Sequence, residues 1–236
     1  MDPRDTAVLL PQPSGDQGGN GSFDCAEESA HYAFSVQLLL TQYAALVPWQ
    51  TEGVAELGSG DARAIAHVVR AVPGLTVHGT DISAASVARA RQTIDHLGVA
   101  DRYTVELGDF FAWADSPAGA RISTVIANPP YIPAPDGDIR MPELWGGVRG
   151  NDLVLRLLKA GYDNVITAVA SYSDPETTVR TAGDRLGDGD PWAAALPAPQ
   201  QLPPDLVAEG HTVPIARVQA MHEGKRRARA RRADDA

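Results

Sequence analysis

The sequence predicts an α/β fold with a mostly parallel central sheet, helices on both faces and a terminal antiparallel strand pair. Two observations lead to this class. From residue 53 to residue 171, short apolar segments alternate with longer segments whose apolar residues recur at helical spacing. Near the end of the chain, two further strand-like segments surround Gly210. The alternation is typical of a parallel sheet, because each crossover between parallel strands needs a helix-sized connection.

The first predicted element is an amphipathic helix over 26–46, with Glu27 and Glu28 near its positive N-terminal end. Ser83 and Gly98 suit the two ends of a later helix. The elements that follow are predicted in this order: strand 53–57, helix 62–72, strand 75–81, helix 83–98, strand 103–109, strand 122–128, helix 151–161, strand 164–171 and the strand pair within 205–221. The Pro-, Gly- and Asp-rich segment 174–204 carries no predicted element.

Composition excludes several classes of protein. The 236 residues are 44% hydrophobic, enough for one domain with a large core. The single Cys25 excludes a disulfide framework and a multi-cysteine zinc site, and the histidines form no pair at metal-ligand spacing, so no metal is expected. No apolar run approaches the length of a membrane span, and the N-terminus does not have the pattern of a signal peptide. We therefore expect a cytoplasmic protein.

Charge divides the chain unevenly. We expect a disordered N-terminal arm over 1–25, a single domain over 26–224 and a basic disordered tail over 225–236. The tail holds six basic and two acidic side chains, a net charge of +4. Because the whole chain has a net charge of −10, the rest of it carries −14. A body this acidic repels phosphate backbones, which disfavours a nucleic-acid substrate.

The turn after the first strand is the first candidate ligand site. In open α/β sheets, ligands bind beyond the carboxyl ends of the strands. Gly58 and Gly60 would let the backbone approach a ligand closely around Ser59. No Gly-Lys-Ser/Thr follows, so this is not a phosphate-binding Walker loop. The alternative is a tight β–α turn that binds nothing.

Two carboxylates end the next two strands. Asp81 lies where an acceptor for the two ribose hydroxyls of a nucleoside is expected. Its alternative role is that of a helix N-cap. Asp109 ends the third strand, where its carboxylate could accept an exocyclic amine and the ring of Phe110 or Phe111 could pack on a purine. The alternative for one of these two rings is the ordinary core.

Acidic residues at three successive strand ends, after a Gly-x-Gly turn, resemble the class I S-adenosylmethionine-dependent methyltransferases. The resemblance covers about 54–171 and implies a Rossmann-like methyltransferase fold, an enzyme, and S-adenosylmethionine as cofactor. It implies that the turn holds the methionine part of the cofactor, that the region of Asp81 holds the ribose and that the region of Asp109 holds the adenine. The implied cofactor-binding residues are Glu56, Gly58, Ser59, Gly60, Asp81, Ile82, Asp109, Phe110 and Asn128.

The fourth strand ends in Asn128-Pro129-Pro130-Tyr131, which we predict to be catalytic. Consecutive prolines do not continue a central strand, so the chain leaves the sheet in a rigid corner. The Asn128 amide oxygen and the Pro129 carbonyl can accept the two hydrogens of an NH₂ group, which aims the nitrogen lone pair at a sulfonium methyl. Tyr131 offers a flat face to a planar acceptor. The alternative is a structural loop corner.

NPPY is the hallmark of methyltransferases that act on exocyclic or amide nitrogens. The continuation, NPPYIPAPDGDIRMPELWGGVRGNDLVLRLL, resembles the HemK/PrmC family, which methylates a protein glutamine side chain. The matching positions are Pro142-Glu143, Gly146-Gly147 and Gly150-Asn151-Asp152. Two features depart from the family pattern. Only about 50 residues precede the first strand, where the family carries a helical substrate domain, and Ala62 stands where the last glycine of the turn is usual.

These departures favour, by a narrow margin, a small-molecule acceptor with a planar nitrogen, in a biosynthetic pathway. Protein-glutamine N5-methylation is the alternative, and a nucleic-acid acceptor or a catalytically inactive scaffold ranks below both. Four acidic residues after NPPY could recognise a cationic acceptor, or could be solvated loop charges: Asp136, Asp138, Glu143 and Asp152. The sequence predicts no oligomeric state.

Overall fold

A computed structural model describes residues 26–42, 49–139, 142–186 and 215–219 of the chain. The predicted arm over 1–25, the predicted tail over 225–236 and the first strand of the predicted terminal pair lie outside these residues. Within them, no helix is both long enough and apolar enough to cross a membrane.

Helices and strands alternate through the described part of the chain. The helices are α1 (Ala26–Gln42), α2 (Trp49–Glu52), α3 (Arg63–Ala71), α4 (Ala84–Leu97), α5 (Phe110–Ala114), α6 (Asp152–Lys159) and α7 (Pro175–Leu186). The strands are β1 (Val54–Leu57), β2 (Val77–Asp81), β3 (Tyr103–Leu107), β4 (Thr124–Ala127), β5 (Asn164–Ala168) and β6 (Ile215–Gln219). These strands form one sheet in the order β3-β2-β1-β4-β5-β6.

The predicted α/β class is confirmed. Strands β1 to β5 pair in parallel, and β6 pairs antiparallel with β5. One face of the sheet shares an apolar core with α1, α3 and α4, and the opposite face shares a second core with α5, α6 and α7. Every residue of β1, β4 and β5 is buried, as expected for strands covered on both faces.

Three of the observed helices are absent from the sequence prediction: the short α2, then α5 and α7. Helix α5 begins directly after β3, because the Asp109 side chain accepts a hydrogen bond from the Ala112 N–H at 2.9 Å and caps the helix. Helix α7 lies in the segment 174–204, where Pro and Asp obscure the helical pattern. Its start is stabilised by Asp174, whose side chain accepts a hydrogen bond from the Thr177 N–H. Pro175 stands at the first helical position, where its missing N–H is tolerated.

The strand order brings the candidate site together. Strand β1 lies between β2 and β4. The chain runs from β1 to β2 and β3 on one side and then crosses to β4 and β5 on the other, so the order of the strands reverses at β1. Leu57 pairs in register with Thr80 on one side and with Ala127 on the other. The residues that follow β1, β2 and β4 therefore share the carboxyl edge of the sheet, where ligands bind in such folds.

Candidate active site

The turn after β1 is built to stay open. The N–H groups of Gly58 and Ser59 both donate to the Thr80 carbonyl, at 2.9 and 3.1 Å, which holds the turn against the end of β2. Gly58 and Gly60 have φ of 73° and 55°, a left-handed conformation that favours glycine. A Cβ at either position would meet no atom of the described residues within 4 Å, which leaves space beside the turn for a ligand.

Asp81 ties this turn to β2. One carboxylate oxygen accepts a hydrogen bond from the Gly60 N–H at 2.9 Å, and the other accepts one from the Ser83 N–H at 2.8 Å. The N-cap of α4 is Ser83, whose hydroxyl accepts from the Ser86 N–H, and so it is not Asp81. Each oxygen of an ionised carboxylate has a second lone pair, so Asp81 keeps acceptor capacity for a ribose.

Glu56 lies below the turn. Its side chain is buried and accepts a short hydrogen bond from the Tyr103 hydroxyl. Burial, reinforced by the negative charges of Asp81 and Asp61, raises the pKa of Glu56 to about 8, although the Tyr103 bond opposes the rise. The same burial, with the charge of Glu56, raises the pKa of both Tyr103 and Tyr32. With its pKa raised to about 8, the Glu56 carboxyl is mainly protonated at neutral pH.

The edge around the turn suits a polar ligand. The buried hydroxyls of Ser59 and Thr80 have no hydrogen-bond partner among the described residues, which leaves polar atoms available beside the turn. S-adenosylmethionine carries a sulfonium, an ammonium and ribose hydroxyls. The acceptor capacity of Asp81 for the hydroxyls, the two hydroxyls without partners in the described part of the chain and the open glycine turn are together consistent with its binding.

After the third strand, one of the two phenylalanine rings lies in the core. The ring of Phe110 is buried and packs against Tyr162, with 5.9 Å between the ring centroids. The Phe110 ring therefore belongs to the core, which is the alternative given for one of the two rings, and a role of Phe110 in cofactor binding stays a prediction. Ile82, next to Asp81, is 81% exposed, and Leu107, paired in register with Asp81, is 56% exposed. These two apolar side chains give the edge a surface that a flat ring can cover, and Leu107 is not among the predicted site residues.

The NPPY corner is held by a residue from α1. The Asn128 side-chain NH₂ donates to one carboxylate oxygen of Glu28 at 2.8 Å, and the Tyr131 hydroxyl donates to the other at 2.5 Å. The Asn128 amide oxygen is buried and accepts no hydrogen bond from any described residue. From the sequence alone, Glu28 is only a charge near a helix end. Its acidic character near the start of α1 is the one local signal of its role.

The glycines after NPPY pack the next segment onto the motif. The Gly146 N–H donates to the Ile132 carbonyl at 2.9 Å, and the Ile132 N–H donates to the Leu144 carbonyl at 2.9 Å. A Cβ on Gly150 would overlap the Tyr131 carbonyl oxygen, so only glycine fits there. The glycine pattern that resembles the HemK/PrmC family is therefore explained by close packing against the NPPY corner.

The rim of the corner is aromatic and acidic. The rings of Tyr131 and Tyr172 meet edge to face with their centroids 5.9 Å apart. Trp145, Val148 and Tyr172 are each about half exposed. The four acidic residues considered for a cationic acceptor are also exposed: Asp136, Asp138, Glu143 and Asp152. Among the described residues, no group of three or more His, Cys, Asp or Glu side chains could hold a metal ion.

The sheet order, the glycine turn, Asp81 and the NPPY corner together resemble the S-adenosylmethionine-dependent methyltransferases. Curated relatives agree. The chain is 34% identical over 88 residues to a release factor glutamine methyltransferase of Moorella thermoacetica, a match that covers 37% of this chain and 30% of that protein. It is 31% identical over 121 residues to a ribosomal protein uL3 glutamine methyltransferase of Bradyrhizobium diazoefficiens, covering 48% and 37%. No protein-family model matches the chain.

These names confirm the predicted resemblance to the HemK/PrmC glutamine methyltransferases. The chain spans between 30% and 37% of the length of the two relatives described above. A solved structure, a putative RNA methyltransferase from Pyrococcus horikoshii, aligns over 77% of this chain and 79% of that chain, with a TM-score of 0.48 and 14% identity. The fold assignment rests on the strand order and not on this alignment.

Proposed function

We propose that this chain transfers a methyl group from S-adenosylmethionine to the side-chain amide nitrogen of a glutamine in a protein. The orientation of the Asn128 amide carries the proposal. Its NH₂ end is bound to Glu28 at 2.8 Å, and its oxygen is buried without a partner among the described residues. A buried acceptor left without a donor is costly, so its presence at the ligand edge favours a substrate that brings N–H groups.

The corner residues can hold an amide nitrogen in line for transfer. When bound, S-adenosylmethionine supplies an activated methyl group on a sulfonium, so the acceptor needs orientation more than deprotonation. The oxygen of Asn128 and the carbonyl of Pro129 can accept hydrogen bonds from the two N–H groups of the substrate amide. These bonds turn the lone pair of the nitrogen out of conjugation with the amide carbonyl. The nitrogen–methyl bond forms as the sulfur–methyl bond breaks, and the nitrogen then releases one proton to solvent.

The relatives support a protein acceptor over the small molecule favoured by the sequence. Two of them are named for methylating glutamine in a release factor and in ribosomal protein uL3. The short segment before β1 does not weigh against this acceptor, because the same relatives match this chain over only part of their length. Tyr172, whose ring meets that of Tyr131, and the exposed side chains of Trp145 and Val148 in the segment after NPPY also suit an extended polypeptide better than a compact polar molecule.

The test supplies methyl-labelled S-adenosylmethionine with separate acceptors: a release factor, ribosomal protein uL3, free glutamine with other small amides and guanidines, and RNA. We expect label in at least one of the two proteins, with the methyl group on glutamine by tandem mass spectrometry. Asn128→Ala should abolish this label while cofactor affinity, measured by calorimetry, stays within about threefold. Label only in small molecules or RNA would overturn the protein acceptor, and an active Asn128→Ala would overturn the chemistry.

A further inference from the structure

Glu28 joins the N-terminal helix to both ends of the NPPY corner. Its two carboxylate oxygens accept hydrogen bonds from the Asn128 NH₂ at 2.8 Å and from the Tyr131 hydroxyl at 2.5 Å. Each contact spans about a hundred residues of chain, as the separations of 100 and 103 show. A carboxylate that receives two donors from one motif is a specific arrangement, and charge-assisted bonds of this kind are the stronger ones.

Helix α1 is fixed firmly enough for this contact to be maintained. Val36 and Leu40 on α1 are fully buried in the core that α1 shares with α3 and α4. The Trp49 indole N–H donates to the Leu40 carbonyl at 3.0 Å, which fastens the end of α1 to α2. The first turn of α1, with Glu28, is therefore carried on a packed helix and not on a loop.

A carboxylate at this place decides which way the Asn128 amide points. An amide side chain can rotate by half a turn and exchange its oxygen and nitrogen. With Glu28 ionised, the rotated form would put the Asn128 oxygen against a carboxylate oxygen, and two acceptors would face each other. The observed form leaves the oxygen of Asn128 free to accept. The hydrogen bond from the Tyr131 hydroxyl to Glu28 holds the Tyr131 ring in place. The methyl-accepting substrate therefore meets both the Asn128 oxygen and the flat face of Tyr131 already in position.

We propose that Glu28 is a positioning residue of this methyltransferase, which locks the Asn128 amide oxygen and the Tyr131 ring toward the acceptor nitrogen. The assignment rests on the proposed function. Glu28 acts through these two side chains and touches neither donor nor acceptor in this role. A charge at a helix N-terminus, the role visible in the sequence, would stabilise α1 without affecting the rate of transfer.

The variants separate these two roles. Glu28→Gln keeps the shape but its NH₂ group can face the Asn128 oxygen, so the amide orientation is no longer fixed. We expect kcat to fall roughly ten- to one-hundred-fold, because one charge-assisted hydrogen bond that orients Asn128 is lost. Cofactor affinity and KM for the acceptor should stay nearly unchanged. Glu28→Asp keeps the charge and should recover part of the rate. Glu27→Gln removes a neighbouring charge and should leave kcat unchanged.

A second readout needs no acceptor. In a spectrum of ¹⁵N-labelled protein, the Asn128 side-chain NH₂ signals are identified by their loss in Asn128→Ala. Glu28→Gln should move these signals strongly, while Glu27→Gln should not. If neither kcat nor these signals respond to Glu28→Gln, the inference is wrong. If the signals respond but wild type methylates no glutamine, the proposed acceptor is wrong, and kcat on whatever acceptor it does use decides the role of Glu28. A change in kcat equal for Glu27→Gln would reduce Glu28 to a helix-end charge and overturn the inference.

Discussion

Replacing Glu56 by glutamine should make the fold more stable at alkaline pH and remove part of its pH dependence. The Glu56 carboxyl is buried under the glycine turn, and burial raises its pKa from 4.5 to about 8. In the unfolded chain the group ionises from pH 4.5 upward, while in the folded protein it keeps its proton until about pH 8. The folded state therefore binds more protons across this range, and stability falls as the pH rises.

The magnitude follows from the same two values. Each pH unit between the unfolded and folded pKa corresponds to about 1.4 kcal/mol. Above the folded pKa the ionised carboxyl thus costs the wild type on the order of 5 kcal/mol of unfolding free energy. Below the unfolded pKa it costs nothing. Glutamine stays neutral throughout and its oxygen can still accept the Tyr103 hydroxyl bond.

Urea unfolding followed by circular dichroism measures this difference between about pH 5 and about pH 8.5. We expect the stability gain of Glu56→Gln over wild type to grow by a few kcal/mol across this range. Glu176→Gln is the control, because the Glu176 carboxyl on α7 is exposed, so this variant removes a charge without removing a buried carboxyl. A Glu56→Gln gain that stays constant with pH would refute the reasoning from burial.

Three further changes test the site and the core around it. Asp81→Asn should weaken S-adenosylmethionine binding at least roughly tenfold by calorimetry, since it removes a charged acceptor, while Asp115→Asn, at the end of α5, should not. Phe110→Ala should lower the unfolding free energy by about 3–5 kcal/mol, since its ring is core, and leave the cofactor affinity of the folded protein intact; weaker binding alone would restore the purine-packing role. Gly79→Ala should cost about 1–3 kcal/mol in thermal or urea unfolding, because its Cβ would lie 3.1 Å from the Ser59 Cβ, and no loss would mean that this contact relaxes freely.

Local chemistry explains which features of the fold and the site are predictable from the sequence. A turn that needs two glycines, a carboxylate at a strand end and a double proline that ends a strand are each properties of a few adjacent residues. Gly58, Gly60 and Asp81 accordingly lie together, as expected, and the predicted α/β class is confirmed by the strand order. The alternation of strands and helices is readable because its period belongs to the segment itself.

Long-range packing explains the features that the sequence does not predict. Phe110 follows a strand end in sequence, yet α5 turns its ring inward against Tyr162, and no local pattern separates an inward ring from an outward one. Helix α7 is hidden because Pro and Asp at its start suit a loop as well as a helix start. Whether the Phe110 ring turns inward, and whether the segment after Asp174 forms a helix, depends on packing partners far along the chain.

By itself, the sequence determined the class of fold and predicted which edge of the sheet binds a ligand and which residues act there, because backbone conformation and hydrogen-bonding capacity are local. The tertiary structure alone decided how those residues are set. It buried Glu56 against Tyr103, and it brought Glu28 on α1 to Asn128 across a hundred residues. Spatial proximity of this kind arises from the packing of helices on the sheet, and burial and charge pairing act only once that packing has formed.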